Sequence, residues 1–349
     1  MSTGLTPKQR ILRTIKRQEI DRLPTQIDFS GACQDKMSKH WNLNGDREMA
    51  PFLGNHIIYA YLNDAVGNIK ARKVGQGDIS YDDWGTGFEN VSEGPSPVSY
   101  PLVDMSRWPS YKFPDPNERG LLDRAKEVVA DFGDEYLVTS YQIFSLFERA
   151  WLVRGFENFM MDMVVAPDFA ETLLDKITDY SVRIAERYVN AGVACGRIAD
   201  DYGGKTGMLF SPEMWRALMK PRLKRIFQVY QDAGIPVLFH CCGHITPIVG
   251  ELAELGVSVL HPVQPDAMDI NELKTKYGKK LVFYGGISTS GSLPFGTAAE
   301  VREDVRHAVD ILGKDGGYIV APAQGITSDV SAENIEALRQ AIVEFTDCL

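Results

Sequence analysis

Nowhere in this chain do eighteen apolar residues follow one another, so the sequence offers no candidate membrane span. Residues 1–21 are basic and helical in pattern but lack the apolar core of a secretion signal, and a cytoplasmic protein is expected. Positive charge is in short supply as well. Against 47 acidic residues stand 37 Lys and Arg, a net charge of −10, which argues against nucleic acid or an anionic membrane as the main partner. Cysteine is scarce: the five present (Cys33, Cys195, Cys241, Cys242, Cys348) are odd in number and scattered, a pattern of reduced thiols rather than of a disulfide framework. The common hydrolase and nucleotide-binding signatures are missing too. There is no G-x-S-x-G, H-E-x-x-H, G-x-G-x-x-G or Walker loop, and Gly285-Gly286 with Gly291 reads as a tight strand-to-helix connection.

What is present is a rhythm. The pattern predicts strands over residues 25–29, 136–142, 197–201, 237–242, 258–263, 281–287 and 318–321. Helices are expected between and after them, over 145–153, 167–191, 211–231, 245–255, 270–277, 297–312 and 332–345. Such alternation implies parallel pairing with right-handed crossovers. Seven strands are counted and an eighth is expected before residue 95, so a single (β/α)8 barrel over residues 1–349 is the economical reading, with an open doubly wound sheet as the alternative. Residues 31–135 are less regular. Glu48 to Leu62 reads as a short helix and Asp82-Asp83-Trp84-Gly85 as a loop or hairpin, and the aromatic content suits a lid, a site wall or a small subdomain.

Most strand ends carry polar groups: Asp28 and Ser30, Tyr141 and Gln142, Asp200-Asp201-Tyr202, His240 and Cys242, His261 and Gln264, Tyr284, and Gln324. Polar groups converging on one rim are what a barrel enzyme requires. The densest group closes the run Pro236-Val237-Leu238-Phe239-His240-Cys241-Cys242-Gly243. Strand side chains alternate, so His240 and Cys242 share a face and Cys241 looks the other way. That pair reads either as a satisfied core histidine with a small buried thiol, or as the nitrogen and sulfur of a zinc site. A third ligand would come from another strand end, with Asp201, His261 and Gln324 as candidates. Of the two adjacent aspartates only one can face the barrel axis, and Asp201, in phase with Ala199, is the expected one.

With these residues in view, the chain resembles the uroporphyrinogen decarboxylase superfamily over nearly its whole length. The resemblance is carried by Arg22-Leu23-Pro24, Asp200-Asp201-Tyr202-Gly203, Ser211-Pro212-Glu213, Pro221 and Val237 to Gly243. It continues through Gln264-Pro265, Tyr277-Gly278, Phe283-Tyr284-Gly285-Gly286-Ile287, Leu293-Pro294, Gly296-Thr297, Ala321 to Ile326 and Glu333-Asn334. A (β/α)8 barrel is implied. The decarboxylases of this superfamily carry an arginine-rich M-R-Q-A-G-R segment after the first strand, whereas here the stretch is Asp28-Phe29-Ser30-Gly31-Ala32-Cys33, with no arginine to meet substrate carboxylates.

The other branch of the resemblance holds methyltransferases that work with a corrinoid protein, including methylcobamide:coenzyme M enzymes and O-demethylases of methoxylated compounds. Its coenzyme M members bind zinc through an H-x-C pair and a later cysteine. His240 and Cys242 match the pair, and the later cysteine aligns with Gln324. The resemblance implies methyl transfer between a small substrate or thiol and the cobalt of a partner corrinoid protein, with zinc at His240 and Cys242; with Gln324 in place of the later cysteine, either Asp201 is the third ligand or the metal has been lost. Asp201 and Tyr202 would orient the substrate or exchange a proton with it. Trp84, Tyr141 and Tyr284 would wall the pocket, and Asp28, Gln142, His261 and Gln324 would contact the bound molecule. Two other readings stand beside it: a decarboxylase working through Asp28, Asp201 and Tyr141, and a non-catalytic binder of a corrinoid or small ligand, favoured by Gln324 in place of a metal ligand. A monomer or homodimer is expected.

Overall fold

In the computed structural model, which describes residues 4–63, 79–91 and 93–346, strands and helices alternate from residue 137 onward. Cys348 lies outside the described residues. Strands Gly196–Ala199, Val237–His240, Val257–Val263, Val282–Ile287 and Tyr318–Pro322 form one parallel sheet in chain order. Ile57–Ala60 and Leu137–Ser140 form a second parallel pair. Parallel bridges Thr139↔Cys195 and Gln142↔Ile198 join the two sheets, and Thr25↔Val320 and Phe29↔Ile326 attach the extended segment 25–29 to the last strand. The remaining seam, between that segment and Ile57–Ala60, is closed by side chains. Gln26 Oε1 accepts the N–H groups of His56 and Ile57, while Asn55 accepts from the N–H of Ile27 and donates to its carbonyl. Two amide side chains thus do what a backbone ladder does elsewhere, and the eight segments form the ring of a (β/α)8 barrel.

Nearly every strand residue is buried, as expected for parallel strands covered by helices on the outside and packed within. At the amino-terminal end of the ring Ile57, Leu137, Cys195, Leu238, Val259, Val282 and Ile319 meet in one cluster. Helix Pro7–Ile15, started by a capping box of Thr6 and Gln9, sets Ile11 into that cluster as a plug. Each aliphatic side chain so withdrawn from water contributes about 1.5–3 kcal/mol. The floor is therefore closed, and the opposite mouth is left for a site.

The missing strand is Ile57–Ala60, inside the range read as a helix over 48–62. The helix is real but ends at Leu53, because Gly54 turns left-handed (φ +70°) and Asn55 is committed to Ile27. Residues 211–231 are two helices rather than one, Pro212–Leu218 and Lys220–Asp232, with Pro221 at the start of the second. The expected hairpin near Trp84 joins Ile79–Tyr81 to Gly87–Val91, which pairs in turn with Gly94–Ser99. Glu93, in the next turn, accepts hydrogen bonds from Ser30 and Ser328 at the barrel rim. Among the described residues no helix is long and apolar enough to cross a membrane.

Candidate metal centre and substrate cavity

His240 is the last residue of its strand, and alternation continues past it. Cys241 points into the core, where its sulfur accepts the N–H of Tyr202 at 3.2 Å. Cys242 turns to the mouth, its Sγ 3.2 Å from His240 Nε2. From the neighbouring strand comes Asp201, whose Oδ1 accepts the N–H of Cys242 at 2.8 Å and lies 3.8 Å from His240 Nε2. The two loops meet backbone to backbone. A β-carbon on Gly203 would fall 2.5 Å from the Cys242 carbonyl oxygen, and one on Gly243 (φ +81°) 2.4 Å from the Gly203 carbonyl carbon, so only glycine allows this approach.

Asp201, His240 and Cys242 each present one donor atom, all within 4.8 Å of one another. Zinc bonds of roughly 2.0–2.3 Å in a tetrahedron hold their ligand atoms ~3.3–3.8 Å apart. His240 Nε2, 3.2 Å from Cys242 Sγ and 3.8 Å from Asp201 Oδ1, stands close to that spacing from both, and oxygen, nitrogen and sulfur are zinc donor types, so the residues fit the ion. Gln324 stands beside them in a different capacity: its Nε2 donates to Cys242 Sγ at 2.9 Å.

Burial sets the charge states. It holds His240, with the nearby Arg197 cation, far below the usual imidazole range, and His261 likewise. It pushes the Cys242 thiol well up, reinforced by Asp201, and raises Asp201 itself against the opposing pull of the Cys242 hydrogen bonds. A cation at this corner reverses the thiol's preference, so its binding releases a proton. The guanidinium of Arg197 donates through Nη2 to His240 Nδ1 at 3.3 Å, which leaves the imidazole proton on Nε2, facing Cys242 and Asp201. With Nε2 given to a cation, Nδ1 becomes the donor, and His261 Nδ1 is 2.7 Å away to accept.

Beside this corner lies a cavity of about 280 Å³, lined among others by Asp28, Tyr59, Tyr61, Tyr141, Arg197, His240, His261 and Gln324. Asp28 Oδ2 accepts from the hydroxyls of Tyr59 (2.8 Å) and Tyr284 (3.1 Å), and Tyr284 stacks on His261 with ring centroids 4.0 Å apart. Arg197 is sandwiched between aromatic rings, its Cζ 4.5 Å from the centroid of Tyr141 and 5.3 Å from that of Tyr59.

The uroporphyrinogen decarboxylase (URO-D) family model matches residues 82–345, which include Asp201, His240, Cys242 and Gln324. The chain belongs to the uroporphyrinogen decarboxylase family. Among curated relatives it is 23% identical over 347 residues to the methylcobamide:CoM methyltransferase MtbA of Methanosarcina acetivorans, covering 96% of this chain and 97% of that one. To the uroporphyrinogen decarboxylase of Bacillus cereus it is 26% identical over 195 residues, 55% of this chain and only 53% of that enzyme. A solved methyltransferase from Methanosarcina mazei superposes with a TM-score of 0.72 over 98% of this chain and 99% of its own, at 21% identity, which shows a shared fold.

On this family scaffold the structure gathers Asp28, Tyr141, Asp201, His240, Cys242, His261, Tyr284 and Gln324 around one mouth. Three expected residues stand elsewhere. Tyr202 follows Asp201 and faces outward, its ring packed among Phe147, Phe210, Trp215 and Phe239, so it cannot exchange a proton with a molecule in the cavity. Trp84 packs on Tyr180 and under Arg149 at a separate cavity. Gln142 has both ends of its amide engaged behind the ring, donating to the Ser181 carbonyl and accepting from Tyr230. Conversely, Tyr59 and Arg197 were missed. Tyr59 lies in the stretch read as helix; Arg197 sits within a four-residue strand instead of at its end, though its charge there and its phase with Asp201 were visible signals.

Proposed function

We propose that this chain transfers a methyl group between the cobalt of a corrinoid carried by a partner protein and a small molecule held in the barrel cavity, with zinc bound by Asp201, His240 and Cys242. The observation that carries the proposal is the oxygen, nitrogen and sulfur group at the mouth, on a chain alike from end to end to a methylcobamide:CoM methyltransferase. Zinc would supply Lewis acidity, lowering the basicity of the thiol or ether oxygen that takes or yields methyl. In transfer from cobalt, methyl leaves without its bonding pair, cobalt(III) becomes cobalt(I), and a lone pair of the acceptor forms the new bond. With a methoxylated substrate the flow would be opposite: the methyl–oxygen bond would break with its pair left on the oxygen, which takes up a proton, while the cobalt(I) pair would form the methyl–cobalt(III) bond.

The chain's own groups prepare that exchange. His240 is kept neutral and free to donate its lone pair. The Gln324 amide, N–H toward Cys242 Sγ, supports the negative charge the sulfur acquires on deprotonation. Asp28, with Tyr59 and Tyr284 fixed on it, forms a hydrogen-bonded wall opposite. The test is zinc analysis of purified protein beside a His240→Ala variant, together with the spectral change of methylcob(III)alamin to cob(I)alamin in the presence of a thiol. Near-stoichiometric zinc, lost in the variant along with turnover, is expected. Absence of zinc from both, with no methyl transfer in either direction, overturns the proposal.

A further inference from the structure

Among the described residues Arg197 has no ion-pair partner. Its side chain is 95% withdrawn from solvent, being 5% exposed, and it lines the cavity, yet Nε and Nη1 find no hydrogen-bond acceptor and Nη2 has only His240. Among the described residues no carboxylate lies within ion-pair distance of it. A buried guanidinium without its acceptors is costly to maintain. Its faces are covered by Tyr59 and Tyr141, which offer a cation π-contact but no acceptor for the N–H groups in the plane. Asp28 does not fill the gap, since Tyr59, Tyr284 and Gln26 occupy it.

We infer that Arg197 receives an anionic group of the bound small molecule, a carboxylate or sulfonate whose oxygens take the unpartnered N–H groups while its body lies against Tyr59, Tyr61 and Tyr141. The guanidinium edge suits a two-oxygen anion, and one such receptor in a cavity of about 280 Å³ suits a monoanion of modest size. The inference rests on the cavity being the substrate site, as proposed above, but not on methyl being what is transferred. It also gives His240 Nδ1 its release: an Arg197 drawn onto an anion no longer needs that nitrogen as acceptor.

Binding of benzoate, benzenesulfonate and uncharged benzamide to the zinc-loaded protein, followed by calorimetry, tests it. The charged hydrogen bonds predict about 10- to 100-fold tighter binding of an anion than of benzamide. The better of the two anions tells carboxylate from sulfonate. Arg197→Gln should erase the preference and Arg197→Lys keep part of it. Equal binding of benzamide, binding of none of the three, or a preference that survives Arg197→Gln overturns the assignment, the last placing the anion on the metal. Should wild-type protein prefer anions yet transfer no methyl group, the functional proposal falls and this one stands. Should methyl transfer proceed with no anion preference, the reverse holds.

Discussion

Asp200 and Asp201 are consecutive and identical in type, and the fold gives them opposite work. Asp200 is fully buried, its carboxylate accepting the N–H groups of Leu146, Phe147 and Glu148 where helix Phe147–Arg154 begins. Asp201 faces the mouth. Asp200→Ala should therefore lower unfolding free energy by about 2–4 kcal/mol, since three buried donors are orphaned. Asp201→Ala should shift the urea midpoint little but weaken zinc binding at least ~10-fold in competition with a chelator. Equal effects of the two changes on stability and metal would contradict this division. The choice between the aspartates was legible because alternation survives two residues past the strand, which ends at Ala199. The same alternation, carried one step further, turns Tyr202 into the aromatic core, and residue type alone had suggested otherwise. Arg197 opens the predicted strand 197–201, at the end away from the mouth, where a charge reads as solvent-facing and its burial is the unexpected fact.

At the level of elements, the seam between segment 25–29 and strand Ile57–Ala60 contributes to acid sensitivity, beside the buried His240 and His261. His56 sits on it, its Nε2 accepting from Arg10 at 2.7 Å and its Nδ1 2.8 Å from the Gly54 carbonyl. Burial, with the Arg10 and Arg22 cations, drives its pKa down to about 3. In the unfolded chain the same imidazole takes its proton near ~6.5. Between those values the unfolded state binds more protons, so folding stability is lost as pH drops from about 6.5 toward 3. Denaturation midpoints should fall from about pH 7 to pH 5, and the fall should shrink in His56→Asn, whatever that change does at neutral pH. An unaltered slope in the variant would remove His56 as the cause. The seam also explains why the second strand was hard to see in the sequence. A four-residue strand held on one side by side-chain amides leaves a weak pattern, and the helix signal of Gly45–Leu53 ran over it. Later strands, alternating with helices, were legible to within about two residues at each end.

For the whole molecule, a barrel plugged by Ile11 and opened on one side confines its ligand to one end. A tetrapyrrole bearing eight carboxylates needs several cations, and among the described residues lining the cavity of about 280 Å³ Arg197 is the one Arg or Lys. Uroporphyrinogen should therefore not be consumed, as absorbance of the oxidised porphyrin products would report; measurable loss of carboxylate would return the chain to the decarboxylase reading. Family membership was legible from a series of short segments spread over the length. Asp201 was legible as one of three candidates to stand with His240 and Cys242, the aligned position holding Gln324, and the fold brings it from the adjoining strand onto the Cys242 N–H.

The contact between Gly203 and Gly243 bears on any attempt to re-engineer this protein. Two turns touching with no side chain between them have no slack, so carboxylate and thiol travel as a single jaw. Redesign has latitude on the tyrosine side of the chamber and none at this hinge, where one added methyl would prise the jaw apart and scatter the donors together.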